Sequence, residues 1–194
     1  RGNEYNLGRE TFLLPLTWQD GWPMVLPRGA RIPVAVQRPD LPTTPRPVPT
    51  TGAFEWSEKF TTGKVPLQWM TIHPPKQPWF KTAADGLHIT PSATPIGGHG
   101  TGGQPAYLAH RLQHHRATIT ATLDPASIDS GALAGLVLLQ NERNHYVVAV
   151  EHDERGSAVV VLQRTGEQSP IAGQELKRIA LPATTRPVSL RFDL

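Results

Sequence analysis

Short runs of apolar and β-branched residues recur along much of the chain, and some alternate with polar residues at a period of two. In TITATL, Ile119, Ala121 and Leu123 alternate strictly with Thr118, Thr120 and Thr122, which predicts a strand with one buried face. This strand forms the second half of a longer extended stretch, YLAHRLQHHRATITATLD. The apolar runs AGLVLLQ, HYVVAVEH and SAVVVLQR follow closely. The first two flank Asn141-Glu142-Arg143-Asn144, read as a four-residue hairpin loop, and the last two flank Asp153-Glu154-Arg155-Gly156, a second hairpin. FEWSEKF, LQWMTIHPP, GLHIT, ELKRIAL and VSLRFDL are further short strand candidates. Near the start, residues 10–16 and 24–26 read as two extended pieces joined through Gln19-Asp20-Gly21-Trp22, where Asp-Gly is a hairpin signal. No segment has the period of an amphipathic helix. The pattern predicts an all-β, antiparallel β-sandwich of jelly-roll type.

Composition adds a boundary. The stretch PRGARIPVAVQRPDLPTTPRPVPTTG carries a proline every few residues, which breaks ladder hydrogen bonding and favours polyproline II, with one patch at 32–36 able to pair briefly. The expected organisation is therefore a strand segment at 1–26, a Pro-rich linker at 27–52 and a sandwich at 53–194. The chain holds 20 prolines, 17 glycines and no cysteine, which excludes disulfides and thiolate metal sites. No apolar stretch approaches the roughly 18 residues of a membrane span, and Arg1-Gly2-Asn3-Glu4 is not followed by a signal-peptide core. The compartment stays open, leaning to secreted or periplasmic. A net charge of +3 with scattered basic residues argues against nucleic acid as a partner. VSLRFDL ends in mid-strand, so both ends are expected to be cut from something longer.

Candidate chemistry is sparse. There is no G-x-S-x-G nucleophile elbow. The loop IGGHGTGGQP lacks the lysine and following helix of a phosphate cradle, leaving a flexible connection or a loop for close backbone approach. His110, His114 and His115 suggest a metal cluster by composition, but on a strand His110 and His114 lie roughly 13 Å apart and His115 faces the other way. Trp56, Trp69 and Trp79 are either a sugar-stacking platform or core. Asp124, Glu151, Asp153 and Glu154 fall at strand ends and turns, where solvation or a structural Ca²⁺ would explain them. A glycosidase pair would need two carboxyls about 5 to 10 Å apart across a cleft.

Several stretches together resemble one family. NLGRETFLLPLTWQDGWP is similar to the closing strand of the five-bladed β-propeller in family 43 glycoside hydrolases of the β-xylosidase and α-L-arabinofuranosidase type, where LGRE and W-x-D-G-W-P lead through a proline-rich linker into a concanavalin A-like sandwich. LQWMTIHPPKQPWF resembles its Trp…Pro…Trp segment, YLAHRLQHHRATITATLD its A-R-R-Q-Q-H-F-x-F strand, and AGLVLLQNERNHYV its A-G-L-x-x-x-Q-N-x-x-N-x-Y hairpin. His110 stands where the family has arginine, and His115-Arg116 where phenylalanine is usual. The resemblance implies a concanavalin A-like jelly roll and an inverting hydrolase whose three catalytic carboxylates lie in an upstream β-propeller. It also implies a xylo- or arabino-oligosaccharide substrate, no cofactor, and no catalytic residue within this chain. Arg9 is the one position it carries to the active site, contacting sugar hydroxyls or pairing with a neighbouring carboxylate. The alternative is a sandwich that binds carbohydrate or braces its neighbour without catalysis.

Overall fold

A computed structural model describes residues 12–45, 49, 52–182 and 187–194. The chain falls into two compact units, Arg1–Trp56 and Ser57–Leu194.

The first unit contains a hairpin of β1 (Thr17–Gln19) and β2 (Trp22–Met24). Asp20 (φ 52°) and Gly21 (φ 78°) both take positive φ, as a type I′ turn requires. The strands lie closer to the turn than the sequence suggests: residues 12–16 and 25–26 are outside the ladder, and 10–11 lie outside the described residues. Register explains the limit. Gln19↔Trp22 and Thr17↔Met24 are the hydrogen-bonded rungs, so Pro23 faces Trp18 where no N–H is needed. The next bonded rung would need an N–H from Pro15, which has none. Trp18 and Trp22 are each 72% exposed. The patch at 32–36 forms no strand, and Val34 stands fully in solvent.

The second unit is built from antiparallel ladders. β8 (Leu133–Asn141), β9 (Asn144–Asp153), β10 (Gly156–Thr165) and β11 (Gln174–Ala180) form a meander in the order β11-β10-β9-β8. β7 (Thr118–Leu123) pairs with β12 (Val188–Asp193) and adjoins β8. β3 (Trp69–Thr71) pairs with β6 (Leu108–His110), and β4 (Phe80–Ala83) with β5 (Gly86–Ile89). The core follows the alternation. Val147 and Ala149 on β9 face Leu162 and Val160 on β10, and these residues cluster with Val137 on β8. Val150 and Leu190 are buried as well. Removing the buried side chains of Val147, Val150, Val160 and Leu190 from water contributes about 1.5–3 kcal/mol each.

Three expected elements differ in detail. The loop at 141–144 is tighter: Asn141 and Asn144 form the last rung and only Glu142-Arg143 turn. Neither turning residue has positive φ, so a bulge between Leu139 and Asn141 absorbs the mismatch of twist. Asn141 Oδ1 accepts from Arg143 N at 2.9 Å and Asn144 Nδ2 at 3.1 Å. The long stretch 107–124 is two strands in different ladders, because two consecutive residues, His115 and Arg116, are exposed and the alternation slips there. FEWSEKF keeps its period, with Phe54, Trp56, Glu58 and Phe60 half-buried, yet joins no ladder. Its end turns at Phe60 (φ 55°), whose N–H donates to Glu58 Oε1 at 2.9 Å.

Candidate functional site

The expected site residues do not converge. Arg9 lies outside the described residues. Trp69, at the start of β3, is cross-strand partner to His110, with ring centroids 5.8 Å apart and edge-on. Phe60 stacks edge-on to the same indole at 4.9 Å. Trp69 helps to line an open apolar groove of about 440 Å³ with Val65, Met70, Pro74, Phe80 and Leu108. Gln104 fixes the groove's rim, donating through Nε2 to the carbonyls of His73 (3.2 Å) and Pro74 (3.1 Å). Trp79 lines a different groove, of about 410 Å³, on the β4–β5 hairpin. Phe80 lines both, and its ring meets Trp79 edge-on at 4.7 Å. The two tryptophans therefore serve separate surfaces, and Trp56 falls in the first unit.

The histidines are dispersed. His110 belongs to β6 and its Nδ1 lies 2.9 Å from the Arg111 carbonyl, while His114 and His115 sit in the connection to β7. Among the described residues no three His, Asp or Glu side chains gather in a way that could hold a metal ion.

Most of the carboxylates singled out in the sequence hold structure. Asp124 caps the short 3₁₀ turn Pro125–Ser127, accepting from Ala126 N at 3.0 Å. Glu151 and Asp153 on β9, with Glu175 on β11, surround the guanidinium of Arg178, which reaches across β10. Hydrogen bonds to Glu175, then to Glu151, raise the Arg178 pKa above its ordinary value and keep it a fixed cation. Glu154 is exposed in the β9–β10 turn. Neither groove is lined by a carboxylate, so neither presents the facing pair that glycoside hydrolysis needs.

The glycine loop has a structural purpose that the sequence left open. Residues Ile96–Thr101 form a 3₁₀ turn, and Gly97 sits against Arg164 of β10. Arg164 is buried, and its Nη1 donates to the carbonyls of Gly97 (3.1 Å) and Glu142 (2.7 Å). One guanidinium thus ties the loop and the β8–β9 turn to the meander. The close backbone approach that glycine permits is made here to an arginine of the same unit. Arg164 was legible in principle, since it is in phase with the inward Ala158, Val160 and Leu162.

Antiparallel ladders around a small aliphatic core, with aromatic grooves on short hairpins, define a β-sandwich domain of the concanavalin A-like class. Residues 57–194 match the family described as the beta xylosidase C-terminal concanavalin A-like domain, and the chain belongs to that family. A non-reducing end α-L-arabinofuranosidase of Bacteroides ovatus is 26% identical over 170 residues, covering 84% of this chain and 30% of its own. A xylosidase/arabinosidase of Butyrivibrio fibrisolvens is 28% identical over 153 residues, covering 75% of this chain and 27% of its own. The crystal structure of a family 43, subfamily 12 protein retrieved from a capybara gut metagenome superposes with a TM-score of 0.73 at 26% identity, covering 97% of this chain and 36% of that one. The chain spans under a third of the length of these curated relatives.

Proposed function

We propose that this chain is the C-terminal portion of a glycoside hydrolase that acts on xylosides or arabinosides of plant polysaccharide. The catalytic carboxylates belong to an upstream β-propeller, residues 1–26 supply that propeller's end, residues 27–52 link the two domains, and the sandwich buttresses the active-site pocket. Hydrolysis proceeds with inversion, one carboxylate activating water and another protonating the leaving oxygen. Arg9 binds sugar hydroxyls through its planar guanidinium. The observation that carries this reading is the family match over residues 57–194, joined to relatives whose names are arabinofuranosidase and xylosidase.

The test is to express the complete reading frame and assay aryl β-xyloside and aryl α-L-arabinofuranoside. Hydrolysis of at least one, with inverted anomeric configuration, is expected. A folded full-length protein that cleaves neither would end the proposal.

A further inference from the structure

The groove on the β4–β5 hairpin combines chemistry that the bracing role does not use. The register Lys81↔His88, continued by the Thr90 N–H donating to the Trp79 carbonyl at 2.7 Å, sets Trp79, Lys81, His88 and Thr90 on one face of the hairpin. Phe80, Leu87 and Ile89 alternate onto the opposite face, and Phe80 and Ile89 line the groove as well. All four residues of the first face line the groove of about 410 Å³, a volume within the range of small-ligand sites. Trp79 buries its Nε1 edge, so it offers the groove ring carbon rather than a donor. Lys81 is exposed and forms no salt bridge among the described residues, although its charge reaches the nearby Asp85 carboxylate. His88 is oriented by Asp85, whose Oδ1 lies 2.8 Å from Nε2, which leaves Nδ1 as the ring nitrogen for any further contact. An apolar ring face beside a cation, two polar hydrogen-bonding groups and an open rim suit a flat, hydroxylated, anionic ligand.

We propose that this face of the β4–β5 hairpin binds a saccharide bearing a carboxylate, with a pyranose ring on Trp79 and the carboxylate on the Lys81 ammonium. Hydroxyls of the same residue meet Thr90 Oγ1 and His88 Nδ1. A neutral sugar would keep the stacking contact and lose the charge-assisted hydrogen bond. The choice of a saccharide rests on the reading in the preceding subsection. Binding is measured on this chain directly and needs no catalysis, so failure of the binding site and failure of the hydrolase assignment give different results.

The experiment is calorimetric or NMR titration of the 194-residue chain at low salt. The ligands are xylotetraose carrying one glucuronic acid branch, unbranched xylotetraose, and adenosine monophosphate as a flat anion that is not a saccharide. The branched acid should bind about tenfold more tightly than the neutral chain, the ratio expected of one charge-assisted hydrogen bond. Lys81→Gln, on an exposed position, should keep the fold and bring the two saccharides to equal affinity. Trp79→Phe should weaken both. Equal affinity in the wild type, no binding of either saccharide, a preference that survives Lys81→Gln, or tighter binding of adenosine monophosphate would each overturn the proposal.

Discussion

Replacing Gly97 with alanine tests the packing of the glycine loop with a single carbon atom. An alanine Cβ would fall well inside van der Waals contact with Arg164 Nη1 and the Ile171 carbonyl oxygen, and 3.1 Å from the Glu142 oxygen. Gly97 does not have positive φ, so alanine suits the backbone and the cost is steric. Two of the three obstacles are backbone oxygens, which cannot rotate away. Relief must come from the loop or from Arg164, whose bonds to Gly97 O (3.1 Å) and Glu142 O (2.7 Å) then stretch. Overpacking together with a weakened buried charge-assisted bond amounts to about 2–4 kcal/mol. For a unit of this size that lowers the melting temperature by roughly 8–15 °C. Thermal and urea unfolding, followed by tryptophan fluorescence and circular dichroism, should show the loss. A cycle with Arg164→Met sharpens the test. With the guanidinium gone the first obstacle disappears, so the two substitutions should couple by at least about 1 kcal/mol. A Gly97→Ala protein that melts with the wild type, or strictly additive losses, would refute the idea that this contact fastens the loop.

Two other predictions concern the ladders. Val160 is 1% exposed at the centre of the meander, and Val160→Ala should cost about 2–3 kcal/mol by equilibrium urea unfolding, whereas Val34→Ala, fully exposed, should cost nothing measurable. Asp193 is held by Arg191 and then by Thr118, whose hydrogen bonds lower its pKa below the ordinary carboxylate value. Because the folded value is the depressed one, this contribution to stability is present above the unfolded pKa and is lost as pH falls through the folded value. The difference in melting temperature between wild type and Asp193→Asn should therefore shrink from pH 7 toward strongly acidic pH; a constant difference would contradict the linkage.

The fold was legible wherever alternation and turn chemistry agreed. TITATL, HYVVAVEH and SAVVVLQR pair as their period implies, and Asp20-Gly21 turns the first hairpin. Periodicity misled where it was interrupted only locally. The exposed pair His115-Arg116 divides one apparent strand into β6 and β7, and FEWSEKF alternates without a partner. Pattern within a strand reports which face is buried and is silent on whether a neighbour offers hydrogen bonds. Site chemistry was less accessible because it depends on contacts distant in sequence. Arg164 meets Gly97 across 67 residues, and Trp69 and Trp79, close along the chain, line separate grooves. The hairpin face of Trp79, Lys81, His88 and Thr90 becomes visible only once register is known, since a shift of one residue would scatter it.

The order β11-β10-β9-β8 has a consequence for how the chain folds. Each neighbour in that sheet is also the neighbour in sequence, so the meander can form by successive local hairpin closures. β7 and β12, by contrast, close a loop that contains the whole of β8 to β11, which costs more chain entropy than any hairpin of the meander. The meander is thus the natural nucleus, and the β7–β12 ladder closes late. Substitutions in β9 or β10 should slow folding, while those in β12 should chiefly hasten unfolding.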